Sequence, residues 1–256
     1  MKYILFDTET TGNGEQDRII QVGALVYDSE KYTKNIEEYC ENLFDNIKEK
    51  NVLVFDELCK SDVEISYEAM EVHNITPDMI KNKPYFLDTE FANFLEKHNV
   101  NDNYLIAHNI KFDLGMLEKE GFKNNYKLID TYKCARAIFP NITAHRLQYL
   151  RYFLELYKYE KDEANNIGVS IKAHNAIGDV LIMKLLLDKL LVNNTYDDLC
   201  EITKKPLLLD KFPFGKHKGK SIEEVCTKEP QYISWFLNNI SDEDLIYSIK
   251  YIQNNT

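Results

Sequence analysis

The stretch Tyr3-Ile4-Leu5-Phe6-Asp7-Thr8-Glu9 decides the fold that we predict for this chain. It opens with a continuous apolar run, which is typical of a central strand covered on both faces of a sheet. A turn at residues 11–14 leads to a second apolar run at 19–27, and the short turn predicts that the two strands pair antiparallel. Residues two apart on a strand point to the same side, so we expect the carboxylates of Asp7 and Glu9 to face one spot.

These two carboxylates alone leave two interpretations open. Acids placed side by side at the mouth of a buried strand repel each other, and a bound cation relieves that repulsion. An acidic transition from strand to turn is also common on any protein surface, where it binds nothing.

The remaining chain alternates short apolar strands with segments of helical spacing. We predict further strands at 52–58, 104–107 and 128–129, and helical segments near 91–98, 110–117, 132–138 and 146–157. Strands that first meander and then alternate with helices indicate the α/β class, with a mixed sheet and helices on both faces.

The pattern changes beyond about Asn194. We therefore expect one domain over residues 1–194 and a small, lysine-rich α+β appendage over 195–256, with two short helices after Phe212. Residues 30–50 are acidic and weakly periodic, and we interpret them as a helix or loop inserted into the first domain.

The charge is unevenly distributed along the chain, whose net value is −11. Residues 28–68 hold 12 acids against 5 Lys/Arg, whereas residues 201–220 hold 6 lysines against 2 acids. An acidic protein can bind nucleic acid where metal ions and a local basic patch supply positive charge.

Cysteine usage and the pattern of apolar residues bear on localisation. The five cysteines are scattered and never spaced as Cys-x-x-Cys, which fits a reducing compartment better than disulfides or zinc. The first residues lack the pattern of a secretory signal, and the apolar stretch at 180–192 is too short and too charged to span a membrane. We expect a cytoplasmic protein without a membrane partner.

Two further acids lie in motifs that begin with histidine. In His108-Asn109-Ile110-Lys111-Phe112-Asp113, the acid falls in the first turn of a predicted helix, where the helix dipole tolerates a carboxylate. In His174-Asn175-Ala176-Ile177-Gly178-Asp179, it falls in a helix that is apolar nearly all round, where an acid is costly unless it is paired or binds metal. His174 would lie beside Asp179 and could take a proton near neutral pH, although a capping role is the alternative.

Together these residues suit two divalent ions bridged by carboxylates. Such ions activate a water molecule and stabilise the leaving oxygen in phosphodiester hydrolysis. The ligands would be oxygen atoms only, which favours Mg²⁺ or Mn²⁺ over zinc.

The ordered motifs resemble those of the DEDDh exonucleases, relatives of the proofreading subunit of bacterial DNA polymerase III. Residues 6–12 are similar to the first motif of that family, residues 107–113 to the second, and His174-x4-Asp179 to the third. Two ancillary stretches also match: residues 72–76, in which relatives usually have Gly at the position of Asn74, and residues 129–131. The resemblance implies a ribonuclease H-like fold and 3′→5′ exonuclease activity.

The resemblance also implies a role for individual residues. Two Mg²⁺ or Mn²⁺ ions in each active site would be bound by Asp7, Glu9, Asp113 and Asp179, and His174 would be the general base. Expected substrate-binding residues are Thr10, Thr11, His108, Asn109, Lys216, Lys218 and Lys220. For His108, a structural role in anchoring the strand end is the favoured alternative.

The C-terminal segments at 212–220 and 232–239 resemble those of the exodeoxyribonuclease X branch of the same family. This resemblance favours DNA 3′ ends, single-stranded or duplex, as the substrate. Two alternatives stay open: an exoribonuclease, since RNA-degrading members share the motifs, and a catalytically silent relative that only binds nucleic acid.

Overall fold

The computed structural model describes residues 1–28, 52–169 and 175–255. The predicted insertion at 30–50 and His174 lie outside the described residues. The chain divides into two compact units, Met1–Cys200 and Glu201–Thr256. The first unit extends beyond Asn194, where we predicted the domain boundary, and Tyr196 stacks on Tyr3 with ring centroids 4.1 Å apart.

The first unit is built on a mixed sheet of five strands, in the order β3-β2-β1-β4-β5. The central strand β1 pairs antiparallel with β2, which pairs antiparallel with β3, whereas β4 pairs parallel with both β1 and β5. The predicted mixed sheet with β1 at its centre is confirmed. The strands are β1 (Lys2–Thr10), β2 (Ile19–Asp28), β3 (Leu53–Leu58), β4 (Tyr104–Ala107) and β5 (Lys127–Asp130).

Helices cover both faces of this sheet, as predicted. On one face, α3 and α4 bury Phe91, Leu95 and Met116 in a core shared with Ile4 and Phe6 of β1. On the other face, α8 packs against β1 and β2. The helices of the first unit are α1 (Tyr67–His73), α2 (Pro77–Ile80), α3 (Glu90–Lys97), α4 (Ile110–Lys119), α5 (Thr131–Ile138), α6 (Leu147–Phe153), α7 (Glu160–Ile167) and α8 (Ala176–Leu190), with short 3₁₀ turns at Phe86–Asp88 and Leu156–Lys158. The helix α9 (Tyr196–Lys204) begins in the first unit and ends in the second.

The start of α8 lies directly on β2 at Gly23. A Cβ atom at this position would stand 2.3 Å from the backbone nitrogen of Ile177 and 2.5 Å from the carbonyl carbon of Ala176. Only glycine permits so close an approach of helix and strand. Because Gly23 is the cross-strand partner of Asp7, the first turn of α8 faces the acidic end of β1.

A buried cation lies within the apolar helix α8. Lys184 is 2% exposed, and it forms ion pairs with Glu163 of α7 and, at 3.0 Å, with Asp188 one turn further along its own helix. Burying an ammonium group costs free energy unless charged partners compensate, and these two carboxylates provide that compensation.

The second unit is mainly helical. It contains α10 (Ile222–Lys228), α11 (Pro230–Asn239) and α12 (Glu243–Asn255) around a core that includes Phe212, Phe236 and Leu245. We predicted an α+β appendage with two short helices after Phe212. The described residues beyond Phe212 form three helices, and the β structure described for the second unit is one isolated bridge between Lys211 and Ser221. Across the described part of the chain, no helix has the length and apolarity needed to cross a bilayer.

Candidate active site

Three of the four predicted carboxylates meet at the end of β1. Among the described residues, Asp7, Glu9 and Asp179 each place one carboxylate oxygen within 4.8 Å of the other two. Asp7 and Glu9 are two apart on the strand and share the face that α8 covers, while Asp179 lies in the first turn of α8. Three convergent carboxylates form an oxygen-only donor set, which is the set that hard divalent cations prefer.

Electrostatics make this cluster unfavourable without added positive charge. Desolvation raises the pKa of Asp7 well above its usual range, and the charges of Asp113, Glu9 and Asp179 raise it further. Desolvation and the charges of Asp179 and Asp113 raise the pKa of Glu9 from 4.5 to about 8. A cation held among these oxygens would favour the ionised forms and reverse both shifts.

The fourth carboxylate, Asp113, stands beside this group of three. It is buried in the first turn of α4, and its Oδ1 accepts hydrogen bonds from the backbone N–H of Thr8 at 3.1 Å and from the Thr8 hydroxyl at 2.8 Å. Burial raises the pKa of Asp113 to about 7, and the two bonds from Thr8 oppose that rise. Thr8 lies between Asp7 and Glu9 in sequence, and its side chain points to the opposite face of β1. Asp113, which Thr8 binds, is therefore held on one face of the strand, and Asp7 and Glu9 lie on the other.

Polar contacts fix where α8 begins. The side-chain oxygen of Asn175 caps the helix by accepting from the backbone N–H of Ile177 at 3.2 Å. Nε2 of Gln21, which pairs across the strands with Glu9, donates to the same oxygen at 3.0 Å. Asn175 directly follows His174, whose predicted role as general base stays a prediction because this histidine lies outside the described residues.

One further residue touches the acidic cluster and was missed by the sequence analysis. Gln148, at the start of α6, donates through Nε2 to Oδ1 of Asp179 at 2.6 Å. Its own Oε1 accepts from Arg151 at 3.2 Å, and Arg151 in turn makes a two-pronged ion pair with Glu160 at 2.5 and 2.6 Å. This chain of contacts fixes the orientation of the Asp179 carboxylate.

His108 is bonded within the protein at both ring nitrogens. Nε2 faces the backbone carbonyl of His145 at 2.9 Å, which can only accept, so Nε2 carries the proton and Nδ1 accepts from the Thr131 hydroxyl at 3.0 Å. Desolvation lowers the pKa of His108 to about 4, which keeps the ring neutral. These contacts support the anchoring role; contact with substrate stays a prediction.

The other predicted pocket residues differ in their contacts. The Thr10 hydroxyl donates to the carbonyl of Gly12 at 2.7 Å, and the Thr11 hydroxyl donates to Asp17 at 2.6 Å. Both hydroxyls therefore hold the turn after β1. Asn109 is exposed, with a left-handed backbone at φ 75°.

The ancillary stretches brace the ends of the strands. His73 accepts from the backbone N–H of Ile75 at 2.9 Å and so donates through Nε2 to the carbonyl of Thr10 at 3.2 Å. Asn74 adopts φ 60°, a left-handed conformation that glycine adopts freely and asparagine tolerates. Asp130 caps α5 and also accepts from the backbone N–H of Asn109, at 3.0 Å.

The predicted lysines belong to the second unit. Lys216, Lys218 and Lys220 are all exposed, and Lys216 pairs with Glu229 at 2.9 Å. Their contact with substrate stays a prediction.

Two family models match this chain. The family described as Exonuclease matches residues 4–187, and the family described as Exodeoxyribonuclease X-like C-terminal matches residues 212–241. Together they cover the acidic cluster, the predicted general base and the predicted substrate-binding lysines Lys216, Lys218 and Lys220.

Relatives and solved structures agree with these matches. Exodeoxyribonuclease 10 of Escherichia coli (strain K12) is 30% identical over 217 residues, which are 83% of this chain and 90% of that protein. DNA polymerase III subunit epsilon of Treponema pallidum (strain Nichols) is 32% identical over 159 residues, which are 58% of this chain and 62% of that protein. The structure of Exonuclease X in complex with 5′ overhanging duplex DNA aligns with a TM-score of 0.53 at 20% identity, over 78% of this chain and 99% of that one, which supports the ribonuclease H-like fold.

Proposed function

The chain belongs to the exonuclease family, and from that membership we propose that it is a metal-dependent enzyme that removes nucleotides from the 3′ ends of DNA. The observation that carries this proposal is the convergence of Asp7, Glu9 and Asp179 within 4.8 Å at the end of β1. The identity to Exodeoxyribonuclease 10 and the match over residues 212–241 favour DNA over RNA as the substrate.

We propose that the four acids Asp7, Glu9, Asp113 and Asp179 hold two Mg²⁺ or Mn²⁺ ions. The donor set fits such ions because it consists of oxygens, and because a bound cation would lower the raised pKa values of Asp7 and Glu9. When bound, the ions supply the charge that activates water and stabilises the leaving oxygen of a phosphodiester.

The protein's own contribution is to position these groups. Thr8 holds Asp113, Gln148 holds Asp179, and the pair Gln21–Asn175 fixes the start of α8. In our proposal His174, the residue before Asn175, takes the proton of the attacking water. The close approach of α8 to β2 at Gly23 keeps this helix beside Asp7 and Glu9.

Cleavage of matched deoxy and ribo oligonucleotides tests the proposal. Full-length protein is incubated with a 5′-labelled DNA strand and the RNA strand of the same sequence, each with Mg²⁺, Mn²⁺ or EDTA. We expect a ladder of DNA products that shorten one nucleotide at a time, slower degradation of RNA, and no products in EDTA.

A pair of variants controls this experiment. Asp7→Asn removes an acid of the cluster and should abolish the ladder, whereas Asp78→Asn changes an exposed acid on α2 and should leave it intact. Cleavage that persists in EDTA or in Asp7→Asn contradicts the metal assignment. Faster degradation of RNA would identify an exoribonuclease, and binding of DNA without cleavage would identify the silent relative.

A further inference from the structure

The second unit exposes aromatic side chains in and near a lysine-rich loop, residues 211–220. Trp235 on α11 is 52% exposed, and Phe214 in the loop is 39% exposed. Large aromatic rings are normally buried because each removes much apolar area from water. The exposure of these rings beside a basic loop indicates a ligand-binding surface.

Ring contacts connect Lys216, Tyr232 and Trp235, and Phe214 packs against Phe236 of the same helix α11 with ring centroids 6.4 Å apart. The Lys216 ammonium lies 5.5 Å above the ring of Tyr232, and the Tyr232 ring lies 5.8 Å from that of Trp235. We call the set Phe214, Lys216, Tyr232 and Trp235, together with the neighbouring Lys218 and Lys220, the aromatic-basic surface.

The backbone of the loop is held in a defined conformation. The N–H of Phe212 donates to the carbonyl of Lys220 at 3.0 Å, and the N–H of Gly219 donates to the carbonyl of Phe212 at 2.8 Å. Below the surface, His217 is buried and packs edge-on against Tyr232 with ring centroids 4.4 Å apart. A surface already held in place loses little conformational entropy when it binds a ligand.

The charge of the loop favours a polyanion as the ligand of this surface. Residues 211–220 contain four lysines and no acid, in a chain whose net charge is −11. The acid Glu229 pairs with Lys216 at its edge. Proteins that bind single strands combine cationic side chains for the phosphates with aromatic rings on which unpaired bases stack. In a duplex the bases are stacked on one another, so the exposed rings fit a single strand better.

We infer that the aromatic-basic surface binds single-stranded DNA, with bases stacked on Trp235 and Phe214 and phosphates held by Lys216, Lys218 and Lys220. This inference rests on the proposed function and adds to it a second contact for the same substrate. In this inference the exposed rings give the selectivity for single-stranded DNA, because lysines alone would bind any polyanion.

Trp235 is the only tryptophan of the chain, so intrinsic tryptophan fluorescence reports on this surface alone. Full-length protein in Ca²⁺ is titrated with oligodeoxythymidine of about 16 nucleotides, the upper end of known single-strand site sizes. An abasic oligonucleotide of the same length is the control for binding through phosphates only. We expect strong quenching by oligodeoxythymidine and little by the abasic strand.

Substitutions separate stacking from folding. Trp235→Leu should weaken binding of labelled oligodeoxythymidine about tenfold, the loss of one stacked base, and Trp235→Phe should keep most of the affinity. Tyr247→Leu changes an exposed ring on α12 and serves as the matched control, with no expected effect. Equal affinities for wild type and Trp235→Leu, or unchanged emission at saturation, would overturn the inference. A third outcome would also overturn the inference. If the emission changes with protein concentration in the absence of DNA and sedimentation shows dimers, the surface binds a second copy of the chain.

An assay of nucleotide release from a short oligonucleotide in Mg²⁺ tests the proposed function independently of this surface. Quenching without any release would overturn the proposed function and leave this surface as a binding site. Release without quenching would overturn the binding surface and leave the proposed function intact. The control Tyr247→Leu should release nucleotides from short strands at the wild-type rate.

Discussion

Gly23→Ala tests whether the close approach of α8 to β2 holds the active site together. The added Cβ would lie 2.3 Å from the backbone nitrogen of Ile177, whereas ordinary contact begins at 3.4 Å. The first turn of α8 must therefore move away by about 1 Å, and Asp179 moves with it. Overpacking of this kind costs about 1–3 kcal/mol of stability, and a displacement of about 1 Å at a catalytic group costs about a hundredfold in rate.

The matched control is Gly115→Ala in α4. Apart from the neighbouring residues and backbone of its own helix, no atom of the described residues lies within 4 Å of a Cβ built there, although Gly115 is only two residues from Asp113. Alanine in a helix interior should stabilise the protein by about 0.5–1 kcal/mol and leave the rate unchanged. Urea unfolding in EDTA and single-turnover cleavage of a short DNA strand measure the two effects. If Gly23→Ala equals the wild type in both, the approach of α8 to β2 does not position the site.

Three further predictions concern charge, orientation and the second unit. In EDTA near pH 8, Glu9→Gln should be more stable than the wild type by about 2–4 kcal/mol, and by much less at pH 4.5. The reason is that the pKa of Glu9 is raised to about 8 by folding, so wild-type stability is lost as pH rises from 4.5 towards that value; the same difference at both pH values in urea unfolding would contradict this. Gln148→Leu should raise the Mn²⁺ concentration for half-maximal cleavage, or lower kcat, by about 10–100-fold, because Asp179 loses its orienting bond; an unchanged Mn²⁺ midpoint together with an unchanged kcat would show that the bond has no such role. A protein ending at Lys204 should still cleave short strands, but its DNA affinity should depend less on salt, and the log–log slope on a single strand should fall by about 0.7 for each phosphate that the lysines no longer neutralise; an unchanged slope and affinity would mean that the lysine-rich loop does not touch the DNA backbone.

Much of the sheet could be predicted because its signals are local. The apolar run at the start of β1 and the short turn before β2 specify a buried antiparallel pair without reference to the rest of the chain. The predicted helix at 146–157 was too long, since α6 ends at Phe153 and Glu155 adopts φ 56°. No glycine or proline announces this break, so composition could not reveal it.

The acids of the site were predictable because each breaks a local rule. Asp7 and Glu9 share one side of a buried strand, and Asp179 is an acid in an apolar helix. Gln21 and Gln148 break no such rule. A glutamine on a strand or a short helix has many ordinary roles, and only the packing of α8 against β2 and α6 brings these two amides to Asn175 and Asp179.

The buried ion pairs of α8 have a consequence for the angular setting of this helix. A helix that is apolar on all sides can rotate about its axis against an apolar sheet at little cost in packing. Hydrophobic burial alone would therefore define the rotation of α8 poorly. Lys184 makes one orientation distinct, because any other would take it away from Glu163. Asp179 lies five residues earlier, about 140° around the helix, so that single orientation also aims its carboxylate. Replacing Lys184, Glu163 and Asp188 together by apolar residues of similar volume should give a protein that is no less stable but in which α8 adopts several rotations, with the Asp179 carboxylate no longer aimed at Asp7 and Glu9.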